Sequence, residues 1–531
     1  MGQFIHDLIS HSARTVPSQA ALIYQKQEIC YGQLESLVDR AADLFLSMGL
    51  KKSERVATFI EKRVENIGAM FAAARAGGAF VPINPLLKGD QVAHIMNDCN
   101  VRILVTSNDR LRLLTPVLKE CRDLRAIFLV DANSGIAPDL PNVSVFCWES
   151  GLHDVKPHPR HRVIDGDMAA ILYTSGSTGK PKGVVLSHRN IVAGAKSVGQ
   201  YLELSAEDRI LSVLPLSFDY GLNQITTAFL VGATVVLMNY LFPRDVIKAA
   251  ADEKITGLAA VPPLWTQLAQ LPWPTSVVDH LRYITNSGGH MPEPTLNALR
   301  SALPKTKPFL MYGLTEAFRS TYLPPDQVDT RPDSIGKAIP NAEILVVRDD
   351  GSECAANEPG ELVHRGVHVS LGYWNDIEKT AERFKPAPGQ LSGLVMPEMA
   401  VWSGDTVKRD EEGYLYFISR RDEMIKTSGY RVSPTEVEEV IYATGLVSEV
   451  AAFGVKHPTL GQAIVVVAMA NSDQELSVEA LLTSAKRDLP AFMVPHKIII
   501  SRESLPRNPN GKIDRKTLAQ GVENIFDGSN A

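Results

Sequence analysis

The sequence predicts an α/β protein with a large N-terminal domain and a smaller C-terminal one. From residue 33 to about 300, short apolar runs, several of them β-branched, alternate with stretches of helical periodicity. After about residue 335 the chain becomes rich in turns and strand-like runs, and a compact α/β alternation follows Arg420. Strands that alternate with crossover helices are typical of parallel sheets, whose functional loops lie at the carboxyl ends of the strands.

The N-terminal part begins with a helix predicted over 33–48, where apolar residues repeat at helical spacing and Gly49 ends the pattern. Further helices are predicted over 66–76, 244–253 and 294–302. Strands are predicted over 55–60, 102–106, 169–173, 210–214, 234–238, 258–261 and 283–285. We therefore expect parallel or mixed sheets with helices packed against them.

The later part of the chain predicts two smaller units. Strands at 343–347 and 361–365, joined by turn-rich segments, indicate a β-rich subdomain. The α/β alternation that follows consists of helices at 434–442 and 478–489 and strands at 449–455, 463–468 and 497–500. Since about a hundred residues is a usual domain size, we predict an N-terminal domain of residues 1–421 and a C-terminal α+β domain of residues 422–531.

Composition excludes several classes of protein. With 45% hydrophobic and 21% charged residues, the chain is neither disordered, nor collagen-like, nor a coiled coil. A net charge of -6 gives no basic field for nucleic acid or anionic lipid. No signal peptide is recognisable, and no apolar run approaches the roughly 18–20 residues needed to cross a bilayer. We expect a soluble, cytoplasmic protein with reduced cysteines and no nucleic-acid or membrane partner.

The segment YTSGSTGKPKG at 173–183 directly follows a predicted strand. Its glycines allow backbone N–H groups to close on a phosphate chain, while its hydroxyl and ammonium groups neutralise the charge. It is not a Walker A loop, because only two residues separate Gly176 from Gly179-Lys180 and Pro181 follows. The position at a strand end favours a phosphate-binding loop over a flexible surface turn.

Together with this loop, five further segments resemble, in the same order, the motifs of AMP-forming adenylating enzymes. That family includes acyl-CoA synthetases, nonribosomal-peptide adenylation domains and luciferases. The segments are SGGH at 287–290, YGLTE at 312–316, SGD at 403–405, RRDEMIK at 420–426 with GYR at 429–431, and RNPNGKID at 507–514. The resemblance covers nearly the whole chain, and six motifs in one order make a chance match implausible.

The resemblance implies an ATP site that also holds AMP, with Glu316 as the Mg²⁺ ligand, Thr315 at the adenylate phosphate and Asp405 at the ribose hydroxyls. The segment 287–290 would line the adenine. Lys512, Thr174 and Glu316 would be catalytic. Asp422 would be the hinge on which a mobile C-terminal domain swings between adenylation and thioester formation. The nucleotide-binding residues implied are Thr174, Ser175, Gly176, Ser177, Thr178, Gly179, Lys180, Ser287, Gly288, Gly289, Tyr312, Gly313, Thr315, Asp405 and Arg420. Taken alone, Lys512 would be a surface lysine, Asp405 a turn residue and Asp422 a partner of a neighbouring arginine.

The chemistry explains why such groups are needed. A carboxylate that attacks the α-phosphate of ATP brings two anions together, and the pyrophosphate leaves with more charge. Catalysis must therefore consist mainly of positioning and charge neutralisation.

The segment PLSFDYG at 215–221 carries information on the acid. Many acyl-CoA synthetases have an aromatic–His pair here, whereas Phe218-Asp219 is similar to peptide-synthetase domains, in which the Asp pairs with the α-ammonium of an amino acid. A buried carboxylate is costly unless it is paired. Either the substrate supplies an amine, which we favour, or Arg319 supplies the positive charge; Arg319 could also bind a second acidic group of the substrate. The predicted substrate pocket comprises Phe218, Asp219, Asn223, Met311 and Arg319.

The thiol acceptor is expected from outside the chain, because no phosphopantetheine-bearing serine follows Lys512. Gly429 would border the pantetheine tunnel. The favoured function is ATP-dependent activation of a small amino acid such as proline and its transfer to the phosphopantetheine of a separate carrier protein. One alternative is an AMP-forming acyl-CoA synthetase for a non-amino acid, with CoA as acceptor. Others are a non-catalytic nucleotide-binding scaffold and a luciferase-like oxygenation.

Overall fold

The structure is a computed structural model, in which four sheets are covered by helices. It describes residues 2–131, 142–174, 181–289, 291, 293–390, 393–420, 425–432, 434–470, 476–506, 513 and 515–526. The helices are Asp7–Thr15, Tyr31–Ser47, Val64–Arg75, Gly89–Asp98, Asn108–Leu114, Trp148–Asp154, His188–Tyr201, Asp219–Val231, Pro243–Asp252, Pro262–Ala269, Thr275–His280, Glu293–Ala302, Ile377–Arg383, Pro434–Tyr442, Val478–Asp488 and Arg515–Gly521.

One large sheet has seven strands. In spatial order they are Ser144–Cys147, Ala126–Leu129, Val101–Thr106, Arg55–Phe59, Ala79–Pro82, Met168–Thr174 and Lys182–Ser187. All neighbours are parallel except the last pair, which is antiparallel. This hairpin flanks the glycine-rich loop.

The other large sheet has nine strands. In spatial order they are Lys337–Ala338, Thr321–Leu323, Lys307–Tyr312, Tyr283–Asn286, Gly257–Ala260, Arg209–Ser212, Thr234–Leu237, Ala20–Tyr24 and Gln27–Cys30. Its central pairs are parallel. Ala260, Asn286 and Leu310 are in register, so three successive strands end at the same edge of this sheet.

Two five-stranded sheets complete the fold. One is antiparallel and contains Ala342–Val347, Gly360–Gly366, Met399–Arg409, Phe384–Pro386 and Leu415–Arg420. The other contains Tyr430–Val432, Ile425–Thr427, Gly461–Ala470, Val447–His457 and Lys497–Ser501, and the last of these is parallel to its neighbour. The helices Pro434–Tyr442 and Val478–Asp488 contribute Val437, Ile441, Leu481 and Ala485 to the core of this second sheet.

The α/β fold class with a β-rich subdomain agrees with the sequence. The proposed boundary between residues 421 and 422 lies outside the described residues. Within the part of the chain that the structure describes, no helix combines the length and apolar character needed to span a membrane.

Candidate active site

The residues predicted for the nucleotide end of the candidate site lie at strand ends of the two large sheets. Thr174 ends one strand of the seven-stranded sheet, and Tyr312 ends a strand of the nine-stranded sheet. Ser287, Gly288 and Gly289 directly follow the strand Tyr283–Asn286. Gly288 has a φ of 81°, in the left-handed region that favours glycine. These predicted residues therefore come from the carboxyl edges, where α/β proteins bind ligands.

Asp405 and Tyr312 are brought together although 93 residues separate them. The Tyr312 hydroxyl donates to Oδ2 of Asp405 at 2.5 Å, and Asp405 is 1% exposed. The Ser403 hydroxyl accepts a hydrogen bond from the Asp405 backbone N–H at 3.1 Å. Arg420 lies opposite Asp405 in the register of two antiparallel strands. This arrangement fixes a carboxylate at the place where the motifs predict the ribose.

Glu316 lies on a short 3₁₀ turn, Thr315–Ala317, just after the strand that ends in Tyr312. The Tyr373 hydroxyl donates to its Oε1 at 2.6 Å. Lys182 Nζ lies 5.4 Å from the centre of the Tyr373 ring, and burial lowers the pKa of Lys182. Mg²⁺ is commonly held by one or two carboxylates plus substrate phosphates. The oriented carboxylate of Glu316 fits such a site.

The acyl end of the site contains a buried ion pair. Asp219 begins the helix Asp219–Val231, where the helix dipole favours a negative charge. Nη1 of Arg319 donates to Oδ2 of Asp219 at 3.1 Å, and the two side chains are 3% and 15% exposed. The Thr315 hydroxyl contacts Oδ1 of Asp219 at 3.4 Å. The centre of the Arg319 guanidinium lies 4.7 Å from the centre of the Tyr220 ring, which is a cation–π contact.

Other predicted pocket residues surround this pair. Asn223 lies one helical turn after Asp219 and is therefore on the same face of the helix. Its Nδ2 is buried and has no hydrogen-bond partner among the described residues. Met311 is 6% exposed, and its sulfur accepts from the Tyr201 hydroxyl at 2.9 Å. The residues predicted for the substrate pocket thus include polar groups as well as apolar ones.

Phe218 and Gly429 lie where the two parts of the chain meet. The Phe218 ring packs edge-on against Tyr430 at 5.2 Å between centroids, and Tyr430 stacks on Phe492 at 3.7 Å. A side-chain carbon on Gly429 would lie 2.7 Å from Val261, so only glycine fits there. Thr174 and Phe218 line one cavity of about 60 Å³ together with Tyr430 and Phe492.

Several predicted residues lie outside the described part of the chain. They are Ser175, Gly176, Ser177, Thr178, Gly179, Lys180, Asp422 and Lys512. Their roles stay predictions from the motifs.

The structure also brings in residues that the sequence reasoning missed. Tyr373 holds Glu316 from 57 positions away. Lys62 is buried beneath the strand end that leads to Phe218, where its Nζ donates to the carbonyls of Val213 and Leu214 at 2.7 and 3.2 Å. Burial lowers the pKa of Lys62 to about 7. No local sequence pattern marks these residues, because their roles depend on contacts between positions far apart in the chain.

Two family models match the chain. Residues 9–374 match the AMP-binding enzyme model, and residues 436–512 match the model of the AMP-binding enzyme C-terminal domain. The chain belongs to the AMP-binding enzyme family. The resemblance drawn from the six motifs is confirmed.

Relatives of this AMP-binding enzyme fall into two groups. It is 29% identical to the indoleacetate–CoA ligase of Aromatoleum aromaticum over 525 residues, which are 98% of either chain. It is 29% identical to the long-chain-fatty-acid–CoA ligase of Escherichia coli O157:H7, over 99% of this chain and 96% of that one. It is 28% identical to bacitracin synthase 3 of Bacillus licheniformis, but it spans only 8% of that protein.

Solved structures show the same fold. An amide bond synthetase from Marinactinospora thermotolerans matches with a TM-score of 0.84 and 22% identity, over 98% of this chain and 99% of that one. The o-succinylbenzoate CoA synthetase of Bacillus subtilis matches with a TM-score of 0.82 and 24% identity, over 96% and 97%. These matches confirm the predicted fold class, and the names of the relatives agree with the predicted ligase class.

Proposed function

We propose that this enzyme joins a carboxylic acid without an α-ammonium group to AMP, releases pyrophosphate, and passes the acyl group to the thiol of CoA. The observation that carries the proposal is the ion pair between Asp219 and Arg319. The sequence left two sources for the positive charge beside Asp219, and we favoured an amine of the substrate. The 3.1 Å contact supports the other source, Arg319.

Electrostatics argue against an amino acid at this place. An ammonium that reached Asp219 would lie close to the guanidinium that already contacts that carboxylate. Two unit charges of the same sign about 4 Å apart repel by about 4 kcal/mol at an effective dielectric constant of about 20, which offsets much of the attraction between the ammonium and Asp219. A substrate without the amine avoids this repulsion, and Asp219 stays neutralised by Arg319.

The lengths of the relatives support CoA as the acceptor. The two relatives that match nearly end to end are named CoA ligases. The peptide synthase is matched over a small fraction of its length. Transfer to the phosphopantetheine of a carrier protein, our earlier expectation, uses the same thiol chemistry and is the second candidate.

The first half-reaction forms an acyl-adenylate. A carboxylate oxygen attacks the α-phosphorus of ATP, a new P–O bond forms, and the bond to pyrophosphate breaks. Asp405, oriented by Tyr312, would bind the ribose hydroxyls, and the turn Ser287–Gly289 would line the adenine. Thr315 would contact the phosphate beside the ion pair. These groups act by holding the two anionic reactants in line.

Glu316, oriented by Tyr373, would hold Mg²⁺, which when bound supplies positive charge to the phosphate oxygens. The motif residues of the loop 175–180 and Lys512 would add donors, and Asp422 would be the hinge. In the second half-reaction a thiol, after losing its proton, attacks the acyl carbon and AMP leaves. From the motif, Gly429 would border the path of the thiol, and in the structure a side chain there has no room beside Val261.

Pyrophosphate exchange into ATP tests the proposal with acids that differ only in the amine. Pentanoic acid is matched with norvaline, glutaric acid with glutamic acid, and proline is included. We expect the acids without the amine to give a kcat/KM at least tenfold higher, and their CoA thioesters to be found by mass spectrometry when CoA is added.

Each other outcome identifies a rival. Exchange with amino acids alone would overturn the proposal and restore our earlier interpretation of Asp219. ATP binding without exchange for any acid would indicate a scaffold. Consumption of oxygen with AMP release and no thioester would indicate luciferase-like chemistry.

A further inference from the structure

The proposed function leaves open which acid is activated, and the inference here rests on that function. We infer that the substrate is a short carboxylic acid with an oxygen acceptor at its far end, a second carboxylate or an amide carbonyl, and that Arg319 binds this group. Arg319 would then determine specificity in addition to neutralising Asp219.

The starting observation is the unused hydrogen-bonding capacity of Arg319. Its side chain is 3% exposed, and Nη1 is taken by Asp219. Nε and Nη2 are buried and have no hydrogen-bond partner among the residues that the structure describes. In native proteins nearly all buried polar groups are paired, so a buried, unpaired donor calls for an explanation such as a ligand or an ordered water.

The position of the two unpaired nitrogens on the guanidinium indicates which groups they can bind. Nε and Nη2 form one edge of the planar group, where two parallel N–H bonds point in the same direction. This edge matches the two oxygens of a carboxylate, and the two lone pairs of one carbonyl oxygen can also accept from it. A lysine offers no such edge, since its ammonium is a point charge on a flexible stem.

Neighbouring groups add to this cluster of hydrogen-bond donors. Nδ2 of Asn223 is a third buried donor with no partner among the described residues, on the same helix face as Asp219. The Tyr220 ring holds the guanidinium at 4.7 Å. Arg319 and Asn223 therefore offer three buried donor atoms without a partner among the described residues, and an oxygen-rich group would satisfy them.

The position of Arg319 limits the length of the acid. Thr315 contacts one oxygen of Asp219, and Arg319 contacts the other. A single carboxylate thus bridges the residue that the motifs place at the phosphate and the residue that would hold the far end of the substrate. The spacer between the two functional groups of the acid must be short.

Charge distinguishes the two forms of the acceptor. Because Asp219 already neutralises Arg319, an amide carbonyl keeps the pocket neutral, whereas a second carboxylate adds one negative charge. Arg75 shows that a buried arginine of this chain can hold two carboxylates, those of Glu35 and Asp39, at 2.8 and 2.9 Å. The carboxylate and the amide carbonyl would both accept hydrogen bonds from the Nε–Nη2 edge of Arg319. The experiment therefore compares an acid of each kind.

The test compares three acids of equal length: pentanoic acid, glutaric acid and glutaramic acid. A site built to hydrogen-bond a substrate group discriminates strongly against an analogue that lacks it. We expect glutaric or glutaramic acid to exceed pentanoic acid by about 10²-fold in kcat/KM for pyrophosphate exchange. Whichever of these two acids has the higher kcat/KM identifies the acceptor. The same comparison with acids of four and six carbons identifies the preferred chain length.

The Arg319→Lys variant keeps a positive charge beside Asp219 but removes the Nε–Nη2 edge with its two parallel N–H bonds. We expect it to reduce the preference for the acids with a terminal acceptor over pentanoic acid to less than about threefold, a ratio that is measured within the variant itself. The inference is overturned if, at every chain length, the acid without a terminal acceptor has the same kcat/KM in the parent enzyme as its carboxylate and amide analogues. Water would then satisfy the unpaired donors. Calorimetric titration of the parent with the same acids needs no turnover, so it measures the selectivity even where the proposed adenylation fails.

Discussion

The two ends of the candidate site hold their carboxylates in different ways. At the nucleotide end, tyrosine hydroxyls donate to Asp405 at 2.5 Å and to Glu316 at 2.6 Å. At the acyl end, Asp219 is held by a guanidinium that keeps two nitrogens without a partner in the described part of the chain. A neutral donor orients a carboxylate and leaves its charge available, whereas a cation cancels the charge.

This difference matches what each end has to bind. In the proposed function the two carboxylates of the nucleotide end would bind a ribose and a cation, and a tyrosine hydroxyl orients each of them. The acids in the names of the relatives differ, and the unpaired donors of Arg319 and Asn223 lie at the end where the acid would bind. Under the proposed function, the nucleotide end would supply the chemistry and the acyl end would determine which acid is bound.

Removal of charge at the nucleotide end should have the largest effect. Glu316→Gln keeps the size of the side chain and the contact with Tyr373 but removes the charge that would hold Mg²⁺. Loss of one preorganised electrostatic group typically costs about 10²–10³ in kcat. Pyrophosphate exchange at saturating ATP and Mg²⁺ measures it. Tyr373→Phe is the matched control and should lose less than about tenfold; equal losses in the two variants would contradict a charge-based role.

Breaking the ion pair at the acyl end should mainly affect stability. Arg319→Met leaves the Asp219 carboxylate buried without its cation, which typically costs about 3–5 kcal/mol. Urea denaturation followed by circular dichroism measures the loss of unfolding free energy. The double variant Arg319→Met, Asp219→Leu removes both charges and should recover most of that loss. A single variant as stable as the parent would mean that the pair is solvated.

Behind the acyl end, buried histidines should make the protein sensitive to acid. His364 contacts the hydroxyl of Ser320 at 3.0 Å, and burial lowers the pKa of His364 to about 3 and that of His368 to about 4. Between pH 6.5 and about 4 the unfolded chain binds protons that the folded chain does not. The free energy of unfolding should therefore fall with decreasing pH, by about 1.4 kcal/mol per pH unit for each histidine.

Urea denaturation at pH 7 and pH 5 checks this slope. His364→Gln should reduce the slope of unfolding free energy against pH by the contribution of one histidine. His153→Gln, at a side chain that is 87% exposed, is the control and should leave the slope unchanged. An unchanged slope in His364→Gln would contradict this, because it would mean that the histidine takes up its proton over the same pH range in the folded and the unfolded chain.

The smallest effect is expected where the two parts of the chain meet. Tyr430→Ala removes the ring that joins Phe218 to Phe492, and an aromatic pair contributes about 0.5–1.5 kcal/mol beyond its buried area. We expect up to about tenfold slower thioester formation in single-turnover experiments, with pyrophosphate exchange unchanged. Equal slowing of both half-reactions would place Tyr430 in the adenylation step.

Much of the fold could be predicted because its periodicity is local. The strand predicted over 55–60 is Arg55–Phe59, and the helix predicted over 434–442 is Pro434–Tyr442. The helix Asp219–Val231 was not predicted, because every residue from Tyr220 to Phe229 is buried and the apolar–polar alternation that marks a surface helix is absent.

The motifs identified the residues of the nucleotide end but not the side chains that orient them. Tyr373 and Glu316 are far apart in sequence, and no spacing rule connects them. The choice between an amine and Arg319 as partner of Asp219 could not be made from the sequence, since it depends on whether two side chains 100 positions apart meet. The resemblance to peptide-synthetase domains favoured the amine, and the side-chain geometry favours Arg319.

The most direct test of the central claim follows the oxygen of the acid. Glutaric acid labelled with ¹⁸O in its carboxyl groups is incubated with the enzyme, ATP, Mg²⁺ and CoA, and the nucleotide product is analysed by mass spectrometry. If an acyl-adenylate forms and is then attacked by the thiol, the AMP must carry one ¹⁸O atom from the acid. Thioester formation with unlabelled AMP, or with ADP as the product, would contradict the account.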